Sequence, residues 1–193
     1  MKKKATGFLT MALAFTLAAC GGEEEPTTGN DQDESAEQQQ TDHSNMDHSS
    51  MNHSSTGEVP EGLAEASNPT YPVGSTATMH ADHMEGMDDV KATIVGAYDT
   101  TVYAVSYTST TSGEKVENHK WVIHEELENP GDAPLKPGTE VTLQADHMEG
   151  MDDATAVIES AEETTVYMVD YTSANGEKVT NHKWVTESEL AVE

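Results

Sequence analysis

Residues 100–107 read TTVYAVSY, and residues 164–171 read TTVYMVDY. In both, tyrosine, valine and tyrosine fall on alternate positions: Tyr103, Val105 and Tyr107 in the first, Tyr167, Val169 and Tyr171 in the second. A period of two puts these side chains on one face of an extended chain. Aromatic and β-branched residues also suit a pleated, half-buried surface. Thr101–Tyr107 and Thr165–Tyr171 therefore read as strands, and their recurrence means that whatever they build is built twice.

The likeness spreads outward from that strand. ADHMEGMDDVKATIVGAYDTTVYAVSY (81–107) matches ADHMEGMDDATAVIESAEETTVYMVDY (145–171) at 18 of 27 positions. Residues 113–116 (GEKV) return at 176–179, and 118–122 (NHKWV) at 181–185. The offset falls from 64 to 63 where TSTTSG becomes TSANG, a loop in which a one-residue change is tolerated. Two copies at this period are a domain duplication and not a solenoid. The Pro/Gly-rich ENPGDAPLKPG (128–138) is the linker.

Within each copy further strands are expected at Ala92–Ala97 and Val116–Val122, with an entering strand at Val73–His80 and again at Gly138–Gln144. His124–Leu127 and Glu187–Leu190 read as short helical turns. Several short strands with tight turns predict an all-β fold of two tandem small SH3-like barrels, over residues 71–130 and 131–193. Domains of that size are marginal alone, so the copies are expected to pack together.

Residues 20–70 are a different kind of chain. Gly21 to about Asn68 is mostly Glu, Gln, Ser, Thr, Asp and Gly, too polar to offset chain entropy by burial, and is expected to be a disordered tether. Within it, DHSNMDHSSMNHSST (42–56) places His43, His48 and His53 every five residues. Met46 and Met51 each follow a histidine by three. Residues 1–19 have the form of a lipoprotein signal peptide: Lys2, Lys3 and Lys4, a short apolar run, then Leu17-Ala18-Ala19 before Cys20. The apolar run is too short to span a bilayer. The chain is expected to be extracytoplasmic, anchored to the membrane through a lipid on Cys20. As Cys20 is the sole cysteine, no thiol then remains for a disulfide, a nucleophile or a metal.

The chain holds 9 basic and 36 acidic residues and no arginine; loss of the leader removes three lysines and leaves a net charge of −30. Such a surface repels nucleic acid and anionic headgroups and attracts cations. No G-x-S-x-G, H-E-x-x-H or P-loop is present, and no enzymatic activity is expected. The aspartates around Met84 and Met87 do not follow EF-hand spacing.

The paired ADHMEGMDD, the TTVYxVxY strand and the NHKWV…EL ending, behind a lipobox and a His/Met tail, resemble the YdhK family of bacterial lipoproteins. The resemblance covers roughly residues 71–190. It implies an extracytoplasmic lipoprotein with SH3-like repeats and, through relatives in staphylococcal copper-resistance loci, copper binding. It supplies no ligand set.

The side chains suggest one independently. Imidazole binds Cu(II) and Cu(I), whereas the soft thioether chiefly favours Cu(I). A thiol-free chain that joins the two can hold copper in either state. Candidate ligands in the tail are His43, Met46, His48, Met51 and His53. In the repeated turn they are His83, Met84 and Met87, then His147, Met148 and Met151, with Gly86 and Gly150 allowing the chain to fold back. The turn methionines have a second reading as packing residues. His119 and His182, each beside a tryptophan in NHKWV, read as packed or hydrogen-bonded residues, and Trp121 and Trp184 as core. The function expected is copper sequestration or buffering that contributes to copper tolerance, with the metal ion as partner and any protein partner unknown. The alternative is a cell-envelope module whose tandem domains bind a wall peptide or glycan.

Overall fold

The structure, a computed structural model, describes residues 53–192. The signal peptide, Cys20, and the tail donors His43, Met46, His48 and Met51 lie outside the described residues. The elements in order are β1 (Ala64–Glu65), β2 (Thr76–His80), β3 (Asp88–Thr108), β4 (Lys115–Ile123), a 3₁₀ turn (His124–Glu126), β5 (Glu140–Thr142), β6 (Thr155–Thr172), β7 (Lys178–Thr186), a second 3₁₀ turn (Glu187–Glu189) and β8 (Leu190–Ala191). The all-β expectation holds. The two separate barrels do not form: the strands join one eight-stranded sheet, in the order β5-β6-β3-β2-β8 with β4 and β7 branching from β3 and β6, and its ladder does not close.

The departure has a definite origin. The two short strands expected at 92–97 and 101–107 are one continuous strand of 21 residues, β3, and its counterpart β6 runs for 18. These long strands pair antiparallel from Ala92↔Tyr171 to Tyr107↔Ala156. At the midpoint Thr100 faces Thr164, which is the same residue of the repeat. A local two-fold therefore passes between them, through the first residue of TTVY. Register shifts at Ile94/Gly96 and Ala104/Val105 mark bulges, which bend and twist a strand.

Because the long strands cross, the packed units are not the sequence repeats. One core joins Met79, Met87 and Ile94 of the first copy to Tyr167, Val169, Tyr171 and Leu190 of the second. The other joins Tyr103, Val105, Tyr107 and Leu127 of the first to Leu143, Met151 and Ile158 of the second. Each core takes the front half of one repeat and the back half of the other. A third cluster, with Val102, Val166 and Trp184, fills the space around the crossing.

The HMEGM turns follow the same exchange. The Thr110 N–H donates to the Gly150 carbonyl at 2.9 Å, and the Ala174 N–H to the Gly86 carbonyl at 3.1 Å. Each turn thus docks on the hairpin of the other copy. Gly150 has φ 78°, and an added Cβ would overlap Ser109 Oγ and come within 2.6 Å of Thr111 Oγ1. Only glycine satisfies both the backbone angle and the close approach.

Candidate metal site

Met87 and Met151 are fully buried, in the first and second cores respectively. Of the two readings open for the turn methionines, burial in the cores favours packing for these two. The turn folds back at a positive-φ glycine, and its last methionine joins the core. Met84 and Met148 take the other direction and line a cavity of about 160 Å³ together with His53, His119, His147 and His182. An adjoining cavity shares His53, Met84, His119 and Met148 and adds His83.

The exchanged halves arrange the histidines in two pairs. His83, from the first copy's turn, stacks on His182 of β7 with ring centroids 6.3 Å apart. His147, from the second copy's turn, lies 6.2 Å from His119 of β4. Tyr171 meets His182 edge-on and Tyr107 meets His119 edge-on. His119 and His182, expected as packed residues, therefore face the same space as the turn histidines. Their signal in the sequence was the exact repetition of NHKWV, which a requirement for packing alone did not distinguish.

Two carboxylates hold the turn histidines from behind. Glu126 accepts from His147 Nε2 at 2.8 Å, from Trp184 Nε1 at 3.1 Å and from the Ile123 N–H at 3.1 Å. Glu189 accepts from Trp121 Nε1 at 3.0 Å and from the Thr186 N–H at 2.9 Å, with His83 Nε2 3.3 Å away. That last distance suits an ion pair, but His83 Nε2 is not aligned as a hydrogen bond. Each carboxylate of one repeat is thus engaged by a histidine and a tryptophan of the other. Glu126 and Glu189 are the EL glutamates that close each repeat, and sequence reasoning assigned them no role.

A carboxylate on one ring nitrogen directs the other nitrogen elsewhere and raises its basicity, the usual support for a metal-ligating histidine. His83 Nδ1, His147 Nδ1 and His182 Nε2 are buried with no hydrogen-bond partner among the described residues. Buried polar atoms are seldom left so. Among the described residues no three His, Cys, Asp or Glu side chains already stand as a metal-ligand set. The donors come as histidine pairs, each beside a methionine.

Burial pushes the His182 imidazole down to about 3, helped by the neighbouring His83, His147 and His53 and opposed by a bond to the His53 backbone. Burial raises the Glu189 carboxyl, yet the His83 ring beside it, together with its bonds to Thr186 and Trp121, outweighs this and leaves it below its ordinary value. The unfolded chain takes up a proton on His182 below about 6.5, whereas the folded chain does not until about 3. Stability from this group is complete above the unfolded value and is lost as pH falls across that window, by up to about 1.4 kcal/mol per pH unit. Urea unfolding of the metal-free protein should show that slope between pH 6 and 4, and His182→Gln should flatten it. An equal slope in both proteins would remove His182 as its source.

A family described as "Protein of unknown function (DUF1541)" matches residues 73–124 and 137–187, one match per repeat. The chain belongs to the DUF1541 family. It is 52% identical over 194 residues to the uncharacterized protein YdhK of Bacillus subtilis (strain 168), covering 99% of this chain and 90% of that one. A crystal structure of that DUF1541 protein superimposes with a TM-score of 0.72 at 58% identity, over 76% of this chain and 100% of the other. The solution NMR structure of the B. subtilis YdhK C-terminal domain gives a TM-score of 0.60 at 58% identity, over 63% and 93%. The expected YdhK membership is thus correct, and the two DUF1541 segments are the repeats whose halves exchange.

Proposed function

We propose that this chain is a lipid-anchored, extracytoplasmic copper-binding protein that sequesters or buffers copper and contributes to copper tolerance. The observation that carries the reading is the convergence of two histidine pairs with Met84 and Met148, with carboxylates behind His83 and His147. Unprotonated imidazole nitrogens and thioethers without thiolate favour Cu(I), with Cu(II) accommodated by the imidazoles. The residues that would hold the ion are His83, His182 and Met84 on one side and His147, His119 and Met148 on the other. The tail donors His43, Met46, His48 and Met51 add capacity in this reading, and the lipid on Cys20 keeps the protein at the membrane. No catalytic role and no nucleic-acid partner are part of it.

The test is an anaerobic Cu(I) competition titration of the metal-free protein, with Cu(II) run separately. Met84→Leu/Met148→Leu should weaken Cu(I) binding by about tenfold or more, in line with loss of a soft ligand. Met87→Leu/Met151→Leu should leave it unchanged, since those side chains belong to the cores. Equal binding by both double variants would remove the cavity methionines from the site. If the parent protein binds no copper tightly and holds wall material instead, the envelope-module alternative replaces this reading.

A further inference from the structure

His53 is the last histidine of the tail's five-residue repeat, yet it is part of the folded cavity. It lines both adjoining cavities, in company with Met84, His119 and Met148. The residues after it are fastened to β7. The Ser55 N–H donates to the Thr180 carbonyl at 3.0 Å, and the Thr180 N–H to Ser54 Oγ at 3.0 Å. Ser55 Oγ donates to the Asn181 carbonyl at 2.6 Å, and Asn181 Nδ2 to the Ser55 carbonyl at 3.3 Å. Gly57 lies against the Asn181 side chain, where a Cβ would approach to 3.1 Å. The bonds of this strap reach Thr180 and Asn181, the two residues before His182.

The strap breaks the two-fold. The first copy has Glu117-Asn118 where the second has Thr180-Asn181, and the chain's single N-terminal tail is fastened at the second. There the His182 ring bonds the His53 backbone, while His182 Nε2 has no partner among the described residues. A proton held toward a backbone carbonyl fixes the tautomer and leaves the opposite nitrogen as the donor. The strap therefore orients one cavity histidine through its backbone and presents a second through its side chain. Met51 and His48 precede it by two and five residues.

We propose that His53–Gly57 is the port by which copper caught on the tail enters the cavity, with His53 as the ligand shared by both; the proposal rests on the copper reading above. An ion on the neighbouring tail residues is tethered to the cavity mouth. A short covalent tether gives an effective concentration in the millimolar range, far above free copper. Transfer through a shared ligand also spares the ion from release into water.

Both tryptophans, Trp121 and Trp184, bond the carboxylates behind the cavity histidines, and the tail has none. Their emission therefore reports arrival in the cavity and not capture on the tail. The experiment mixes the full chain with one equivalent of Cu(I) under anaerobic conditions and follows that emission in time. His53→Ala should slow the change by about tenfold or more while its final amplitude stays. Ser54→Ala/Ser55→Ala, which keeps His53 but loosens the strap, should slow it as well; circular dichroism checks that both variants fold. Parent-like rates in both variants overturn the port. So does a loss of amplitude with an unchanged rate, since His53 is then a ligand only. No emission change in the parent, with copper bound elsewhere on the chain, overturns the cavity reading on which the port depends.

Discussion

A single cut in the linker, between Asp132 and Ala133, will leave the two repeats bound to each other. Two tandem barrels joined by a flexible linker would drift apart after such a cut. Here the long strands pair across the repeats along most of their length, and both main cores draw side chains from each copy. The second repeat alone contributes Tyr167, Val169, Tyr171, Val179, Val185 and Leu190 to the first core. At about 1.5–3 kcal/mol per fully buried large apolar side chain, that is on the order of 10 kcal/mol of burial in one core. The linker contributes an effective concentration of about 1 mM. At micromolar protein its loss costs about 4 kcal/mol, which the shared cores exceed. The cut site lies in an exposed segment. With a protease site inserted there, the fragments should co-elute on gel filtration and keep the β-sheet circular dichroism of the uncut chain. Separation of the fragments at micromolar concentration without denaturant would count against the exchanged architecture.

That exchange marks where sequence reasoning stopped. Alternation within TTVYxVxY picked out one buried face, and Tyr103, Val105, Tyr107, Tyr167, Val169 and Tyr171 are all buried; it did not show that Val102, Ala104, Val166 and Met168 on the other face are buried as well. Alternation is a local property and carries no information on which strand lies alongside. Repeat boundaries in sequence cannot distinguish two copies that fold separately from two that trade halves, because both bury the same residues. The polar YDTT segment spans the gap between the strands expected at 92–97 and 101–107, and EETT is its counterpart in the second copy. They are instead the middle of the crossing strands, and the polar side chains meet one another there: Thr165 Oγ1 donates to Asp99 at 2.8 Å.

The site was legible in part for the same reason. His83, Met84, His147 and Met148 stood out as a soft-donor motif, and they line the cavities. His119 and His182 became partners of the turn histidines only through the exchange, which brings β7 to the first copy's turn and β4 to the second's. Met87 and Met151 have the same chemistry as Met84 and Met148. What surrounds each side chain decides between cavity and core, and spacing in the sequence does not encode it. The pH behaviour also differs from that of an ordinary exposed histidine. Burial keeps His182 neutral well below 6.5.

The largest single-residue effect is expected at Glu126. Its side chain is 3% exposed, and it accepts from His147, Trp184 and the Ile123 N–H. Glu126→Gln keeps the shape but replaces one acceptor oxygen with an N–H₂ group. Whichever way the amide turns, one of its N–H groups meets a donor already present, either a ring or the backbone. A buried clash of donors, together with the loss of charge from these bonds, should cost about 2–4 kcal/mol in urea unfolding. The same change loosens His147 and should weaken copper binding by about 10–100-fold, the usual scale for loss of a carboxylate behind a ligating histidine. Glu189→Gln is the internal comparison. Glu189 is 13% exposed, and its 3.3 Å approach to His83 is not an aligned hydrogen bond. Water can reach its amide, so its stability loss should be the smaller of the two. A Glu126→Gln protein within about 0.5 kcal/mol of the parent, and with the parent's copper affinity, would mean that neither the carboxylate nor the histidine it holds matters to the fold or the site.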